Sequence, residues 1–158
     1  MIEPLTGGGF IVDLTILSKE QTEILEALKR SVLLNSLLYL AGGTGLALIL
    51  AHRKSADFDF FSKAEFSSEK ILEQLRKYFK INQISMAEMK KDTLIVFLKN
   101  VQVSFFFYNY PLLKPLIKKN NLSIASVEDI STKLLTNISP NTHTNLFLKL
   151  RDAHLLDN

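Results

Sequence analysis

Asp57 and Asp59 stand two residues apart in the run Asp57-Phe58-Asp59-Phe60-Phe61, which reads as an alternating strand over 57–61. Alternation puts both carboxylates on one face and turns Phe58 and Phe60 the other way, into the core. Two carboxylates on one face repel, and keeping both charged takes a cation. Magnesium, a hard divalent ion that seeks oxygen ligands, answers that need. Upstream, Gly42-Gly43-Thr44-Gly45 follow a short apolar run and lead into a second apolar stretch. A glycine turn at the start of a helix offers backbone N–H groups, room for close approach and a dipole that favours anions. Twelve residues, filled by one helix, lie between Thr44 and Asp57. A phosphate cradle and a metal-binding acid pair on neighbouring strands are the two halves of a phosphoryl-transfer site.

Other phosphate-binding signatures fit less well. Gly43-Thr44-Gly45 begins like a dinucleotide fingerprint, but Leu48 stands where its third glycine belongs, and no Gly-Lys-Ser/Thr is present for a P-loop. The chain has no cysteine, which excludes disulfides, thiolate nucleophiles and cysteine-ligated zinc. His52, His143 and His154 lack metal-ligand spacing. Nineteen Lys and Arg against sixteen Asp and Glu give a net charge of +3, a mildly basic balance that permits an anionic partner without demanding one. The small basic clusters (Arg76, Lys77 and Lys80; Lys90 and Lys91; Lys118 and Lys119) read as solvated surface.

The elements that must position the acid pair follow from periodicity. Ser18 and Gln21 form a capping-box pattern ahead of Ile24, Leu25, Leu28, Val32 and Leu33, which predicts an amphipathic helix over 18–34. A buried strand is expected over 37–41 and a second helix over 44–52, with His52, Arg53 and Lys54 at its C-terminal dipole. A third helix is expected from 67 or 68 to 79, then strands over 81–89, 93–99 and 101–108, with turns at Lys91-Asp92 and Asn100. Pro111 and Pro115 are read as ending the sheet region. Ser126 and Asp129 cap a fourth helix running to 138, and a last helix is expected over 143–156.

The length of 158 residues predicts one domain over 1–158, with core motifs over 37–135 and a helical C-terminal region over 126–158. The order of elements predicts an α+β (mixed α/β) fold, a mixed β-sheet flanked by helices. Between Arg30 and His52 lie 21 uncharged residues, long enough to resemble a membrane span. Asn35, Ser36 and the glycines inside that run argue instead for helix end, strand, turn and helix. No signal peptide or membrane segment is expected, and the expected location is the cytoplasm.

The segment from Tyr39 to Phe61 resembles the signature of the DNA-polymerase-β-type nucleotidyltransferase superfamily: strand, glycine turn, helix, then Asp-x-Asp. Its detailed form, Gly42-Gly43-Thr44, Leu46-Ala47-Leu48, His52-Arg53, Ser55 and Asp57-Phe58-Asp59-Phe60-Phe61, is similar to the abortive-infection toxins of the AbiEii/AbiGii family. Residues 101–113 resemble that family's third core strand, and residues 124–133 its later helix with a functional lysine. The resemblance implies a nucleotidyltransferase fold and transfer of a nucleoside monophosphate from a nucleoside triphosphate to a tRNA or protein acceptor, in a toxin with a partner antitoxin. It implies that Asp57 and Asp59 hold a two-metal magnesium site, that Gly43 and Thr44 hold phosphate oxygens, that Arg53 and Ser55 reach the triphosphate, and that Lys133 neutralises phosphate charge.

Two departures from the family pattern stand out. Ser104 occupies the position of a third carboxylate on the later strand, and a neutral serine cannot act as a carboxylate base. Asn145 and Leu148 stand where a later functional acid is usual, and Asp152 is not aligned with it. A catalytically degenerate nucleotide-binding module of the same fold is therefore the alternative expectation.

Overall fold

The computed structural model describes residues 12–51, 54–109 and 111–137. Helix α1 (Lys19–Arg30) opens on the expected capping box. The Ser18 hydroxyl accepts from the Gln21 N–H, and Gln21 Oε1 accepts from the Ser18 N–H. Ile24, Leu25 and Leu28 are buried along one face. The helix does not continue to residue 34. Ser31 is extended, and its hydroxyl accepts from the Leu34 N–H to start a separate short helix, α2 (Val32–Leu37). Val32 is consequently 84% exposed and Leu33 42%, rather than lying on the buried face.

Strand β1 (Leu38–Ala41) is buried throughout and passes straight into α3 (Gly42–Leu50), two residues earlier than the glycines suggest. The 21-residue uncharged run is thus divided among α2, β1 and α3, and among the described residues no helix is long and apolar enough to cross a membrane. Strand β2 (Phe58–Ser62) places Phe58 and Phe60 in the core. Helix α4 (Ser68–Tyr78), capped by Ser67, buries Ile71, Leu72 and Leu75.

After a 3-10 turn come β3 (Ile84–Lys90), β4 (Thr93–Leu98) and β5 (Val101–Phe107), with a register shift in β3 between Met86 and Glu88. Two further strands, β6 (Ile117–Lys119) and β7 (Leu122–Ile124), form a hairpin beyond the prolines. The sheet therefore does not end at Pro111 and Pro115. Asn120 and Asn121, both at positive φ (50° and 64°), turn this hairpin, a conformation asparagine tolerates better than most residues.

The seven strands lie in the order β3-β4-β5-β2-β1-β7-β6. β2 is antiparallel to β1 and parallel to β5, and β1 is parallel to β7. The sheet is mixed and flanked by helices. Helix α5 (Val127–Asn137) packs against α3, where Ile130 faces Gly45. The helix expected over 143–156, with Asn145, Leu148 and Asp152, lies outside the described residues.

Candidate active site

The site is built where β1 ends. Ala41 pairs with Asp59 across β1 and β2, and Asp59 pairs with Ser104 across β2 and β5. Asp59 is therefore flanked in the middle of the sheet by Ala41 on one side and Ser104 on the other. Asp57 lies one residue before β2, beside no strand, and is exposed, whereas Asp59 is half-buried. Burial and, to a lesser degree, the negative charge of Asp57 push the Asp59 carboxyl up to about 6. Among the described residues, no lysine, arginine or histidine forms a salt bridge with either carboxylate.

The chain leaves β1 through Gly42, at φ +65°. A Cβ on Gly42 would overlap Asp59 Oδ2 and stand 2.9 Å from the Asp59 Cβ. The tightest approach in the turn thus falls at Gly42, one residue ahead of Gly43, which is half-buried in the first turn of α3. Helices α1, α2, α4 and α5 each begin on a serine whose hydroxyl accepts a backbone N–H of the first turn. Helix α3 begins from Ala41 with no side-chain cap, so its first N–H groups are left facing the acid pair's end of the sheet.

Thr44 is buried at 1% exposure. Its hydroxyl donates to the Asp57 carbonyl, and its oxygen lies 2.8 Å from the Ser55 hydroxyl. The structure thus gives Thr44 and Ser55 partners within the chain. Gln21 Nε2 donates to the Ser55 carbonyl at 2.6 Å, a link that no local pattern announces because the residues are 34 apart. A cleft of about 430 Å³ borders Asp57, with Ile16, Leu17, Gln21, Ser55 and Val101 in its walls. Arg53 lies outside the described residues. Lys133 falls on α5, the helix that packs on α3, but its side chain is outside the described set.

A divalent ion fits this arrangement. Two carboxylates with no salt-bridging cation among the described residues repel each other, and the space at Asp59 Oδ2 is one that any Cβ on Gly42 would fill. Magnesium characteristically takes one or two carboxylates and completes its shell with substrate phosphates and water. Among the described residues no group of three His, Cys, Asp or Glu gathers, and Ser104, 1% exposed beside Asp59, adds no charge.

A mixed sheet carrying an acid pair next to a glycine turn and a helix N-terminus is the architecture of nucleotidyltransferases. The fold is similar to that of JHP933 from Helicobacter pylori, at 18% identity and a TM-score of 0.57, covering 91% of this chain and 66% of that one. It is also similar to the Megavirus polyadenylate synthase, at 10% identity and a TM-score of 0.57, covering 87% of this chain and 31% of that one. Residues 23–118 match the family described as Nucleotidyl transferase AbiEii toxin, Type IV TA system, and the chain belongs to that family. An uncharacterised protein of Aquifex aeolicus (strain VF5) is 43% identical over 110 residues, which are 68% of this chain and 52% of that protein. The chain spans about half the length of this curated relative.

Proposed function

We propose that the chain is a magnesium-dependent nucleotidyltransferase that moves a nucleoside monophosphate from a nucleoside triphosphate to a tRNA or protein acceptor. It acts as the toxin of a toxin–antitoxin pair in the cytoplasm, where nucleoside triphosphates are available. One observation carries this reading: Asp59, with Asp57 beside it, sits against the left-handed turn at Gly42 that opens the uncapped helix α3.

Each part of the site has a task. Asp57 and Asp59 hold the metal, which when bound neutralises charge on the triphosphate and on the leaving group. The first N–H groups of α3, at Gly43 and Thr44, orient phosphate oxygens. Thr44 also braces the carbonyl of Asp57. Arg53, Ser55 and Lys133 are assigned to the triphosphate. In the reaction an acceptor oxygen bonds to the α-phosphorus, the bond from that phosphorus to the bridging oxygen breaks, and pyrophosphate leaves. The acceptor's proton passes to water at the exposed side of Asp57, since Ser104 cannot receive it as a carboxylate would.

Incubation with labelled nucleoside triphosphates, magnesium, tRNA and cell extract tests this. Label moves to an acceptor with the wild type and not with the Asp57→Ala, Asp59→Ala double variant. Absence of transfer, or transfer that survives both substitutions, overturns the reading. The buried Ser104 favours a second reading, a nucleotide-binding module without turnover, which magnesium-dependent nucleotide binding without label transfer would support.

A further inference from the structure

The β1–β2 ladder runs from Leu38↔Ser62 to Ala41↔Asp59 and stops there, because the chain turns into α3 at Gly42. Residues 54–57 continue upstream of β2 in no regular element. Their carbonyls have lost the donors that a longer β1 would have supplied, yet Asp57 must be held facing Asp59 if the two are to share an ion. Two side chains make up the deficit at alternate carbonyls. Thr44 donates to that of Asp57, and Gln21 to that of Ser55.

Gln21 is 4% exposed, and both ends of its amide are engaged. Oε1 accepts from the Ser18 N–H at 2.9 Å, and Nε2 donates to the Ser55 carbonyl at 2.6 Å. A buried amide bonded at both ends has little freedom to rotate. Its helix is anchored in the core by Ile24, Leu25 and Leu28. Gln21 therefore ties a rigid element to the segment that presents Asp57. Thr44 holds that segment at the Asp57 carbonyl and the Ser55 hydroxyl, both through one side-chain oxygen about which the segment can pivot. The Gln21 bond to the Ser55 carbonyl, from a separate element, removes that freedom.

We infer that Gln21 is a positioning residue for the metal pair, acting through the Ser55 carbonyl rather than on substrate. The inference rests on the reading of Asp57 and Asp59 as metal ligands. Gln21 precedes the family match at 23–118, and no feature of the acid-pair motif points to it.

Gln21→Glu separates this role from helix capping. A glutamate keeps the oxygen that accepts from the Ser18 N–H, as in an ordinary capping box, but sets a carboxylate against the Ser55 carbonyl. Ser67→Ala, which removes the N-cap of α4, serves as a control that lowers stability away from 54–57. Backbone order parameters from ¹⁵N relaxation are measured at Ser55, Ala56 and Asp57 without metal or nucleotide, and magnesium affinity is measured by calorimetry. In wild type the order parameters are expected near 0.85, falling below about 0.6 in Gln21→Glu and staying unchanged in Ser67→Ala. Magnesium binding weakens on the order of tenfold in Gln21→Glu, the equivalent of one lost hydrogen bond, although an added negative charge by itself would strengthen it. Low order parameters in wild type, no change in Gln21→Glu, or an equal fall in Ser67→Ala overturns the inference. A wild type that is rigid at 55–57 yet binds no magnesium overturns the metal-pair reading instead.

Discussion

Gly42 and Asp59 are fitted to one another: the absence of a side chain on the one leaves the room that the carboxylate of the other fills. A Cβ at residue 42 would intrude on Asp59 Oδ2, and φ of +65° disfavours any side chain there. Gly42→Ala is expected to cost about 1–2 kcal/mol from the backbone alone, and to displace Asp59. A displacement on the order of 1 Å lowers transfer about 100-fold. Gly45→Ala is the contrast. Its Cβ would meet Ile130 Cδ1 at 3.4 Å and the Leu40 carbonyl at 3.6 Å, ordinary contacts inside a helix, so stability holds or rises. Thermal unfolding and label transfer of the two variants check the difference, and equal behaviour would remove the special role of Gly42.

The raised Asp59 carboxyl makes the stability of the metal-free protein depend on pH. Its folded value of about 6 lies above the ordinary 3.8, so the fold favours the neutral form. The stabilisation is complete below about pH 3.8 and is lost as pH rises through about 6, with an upper size of about 3 kcal/mol. In EDTA, Asp59→Asn should therefore be more stable than wild type at pH 8 and gain little at about pH 3.5. Urea unfolding at both values reads this, and a gain independent of pH would show that the carboxylate's charge is not the cause.

Ser104 sits in register with Asp59 and is almost fully buried. Ser104→Asp places a third carboxylate beside the pair, which should destabilise the metal-free protein by about 2–4 kcal/mol. Excess magnesium restores part of that loss, so the magnesium-induced rise in Tm should exceed that of wild type. Ser104→Ala should change stability by less than about 1 kcal/mol. An aspartate tolerated equally with and without magnesium would mean that residue 104 does not face the ion.

Asp129 performs structural work away from the acid pair. Its carboxylate accepts from the Leu113 N–H at 2.7 Å, the Lys114 N–H at 3.1 Å and the Ser126 hydroxyl at 2.9 Å, pinning the loop after β5 to the start of α5. Asp129→Ala should cost about 2–4 kcal/mol, because several polar groups lose their partner together. Urea unfolding measures the loss, and hydrogen exchange should rise at Leu113 and Lys114. Undiminished protection there would show that other contacts hold the loop.

Much of the central unit is legible in the residues themselves. Alternation in β2 separates Phe58 and Phe60 from Asp59, and Ser18, Ser67 and Ser126 announce the starts of α1, α4 and α5. The break at Ser31 is not legible, because Val32 and Leu33 continue the apolar period of α1. Capping of α2 and a 3.2 Å contact with Gln74 of α4 decide it instead. The β6–β7 hairpin is hidden for another reason. Strands of three residues are too short to show alternation, and its one signal is the pair Asn120-Asn121 between two lysines and Leu122.

Residue types and spacing alone carry the local arrangement: an acid pair at a spacing of two, a glycine turn, and a helix between them. These are short-range facts, set by side-chain type and by the periods of strand and helix. Packing settles the rest: which glycine meets Asp59, that Ser104 lies beside it, and that Gln21 reaches across 34 residues to the segment bearing Asp57. Such relationships depend on strand register and on helix placement, and the hydrogen bonds that carry them join residues too far apart in the chain to leave a periodic trace.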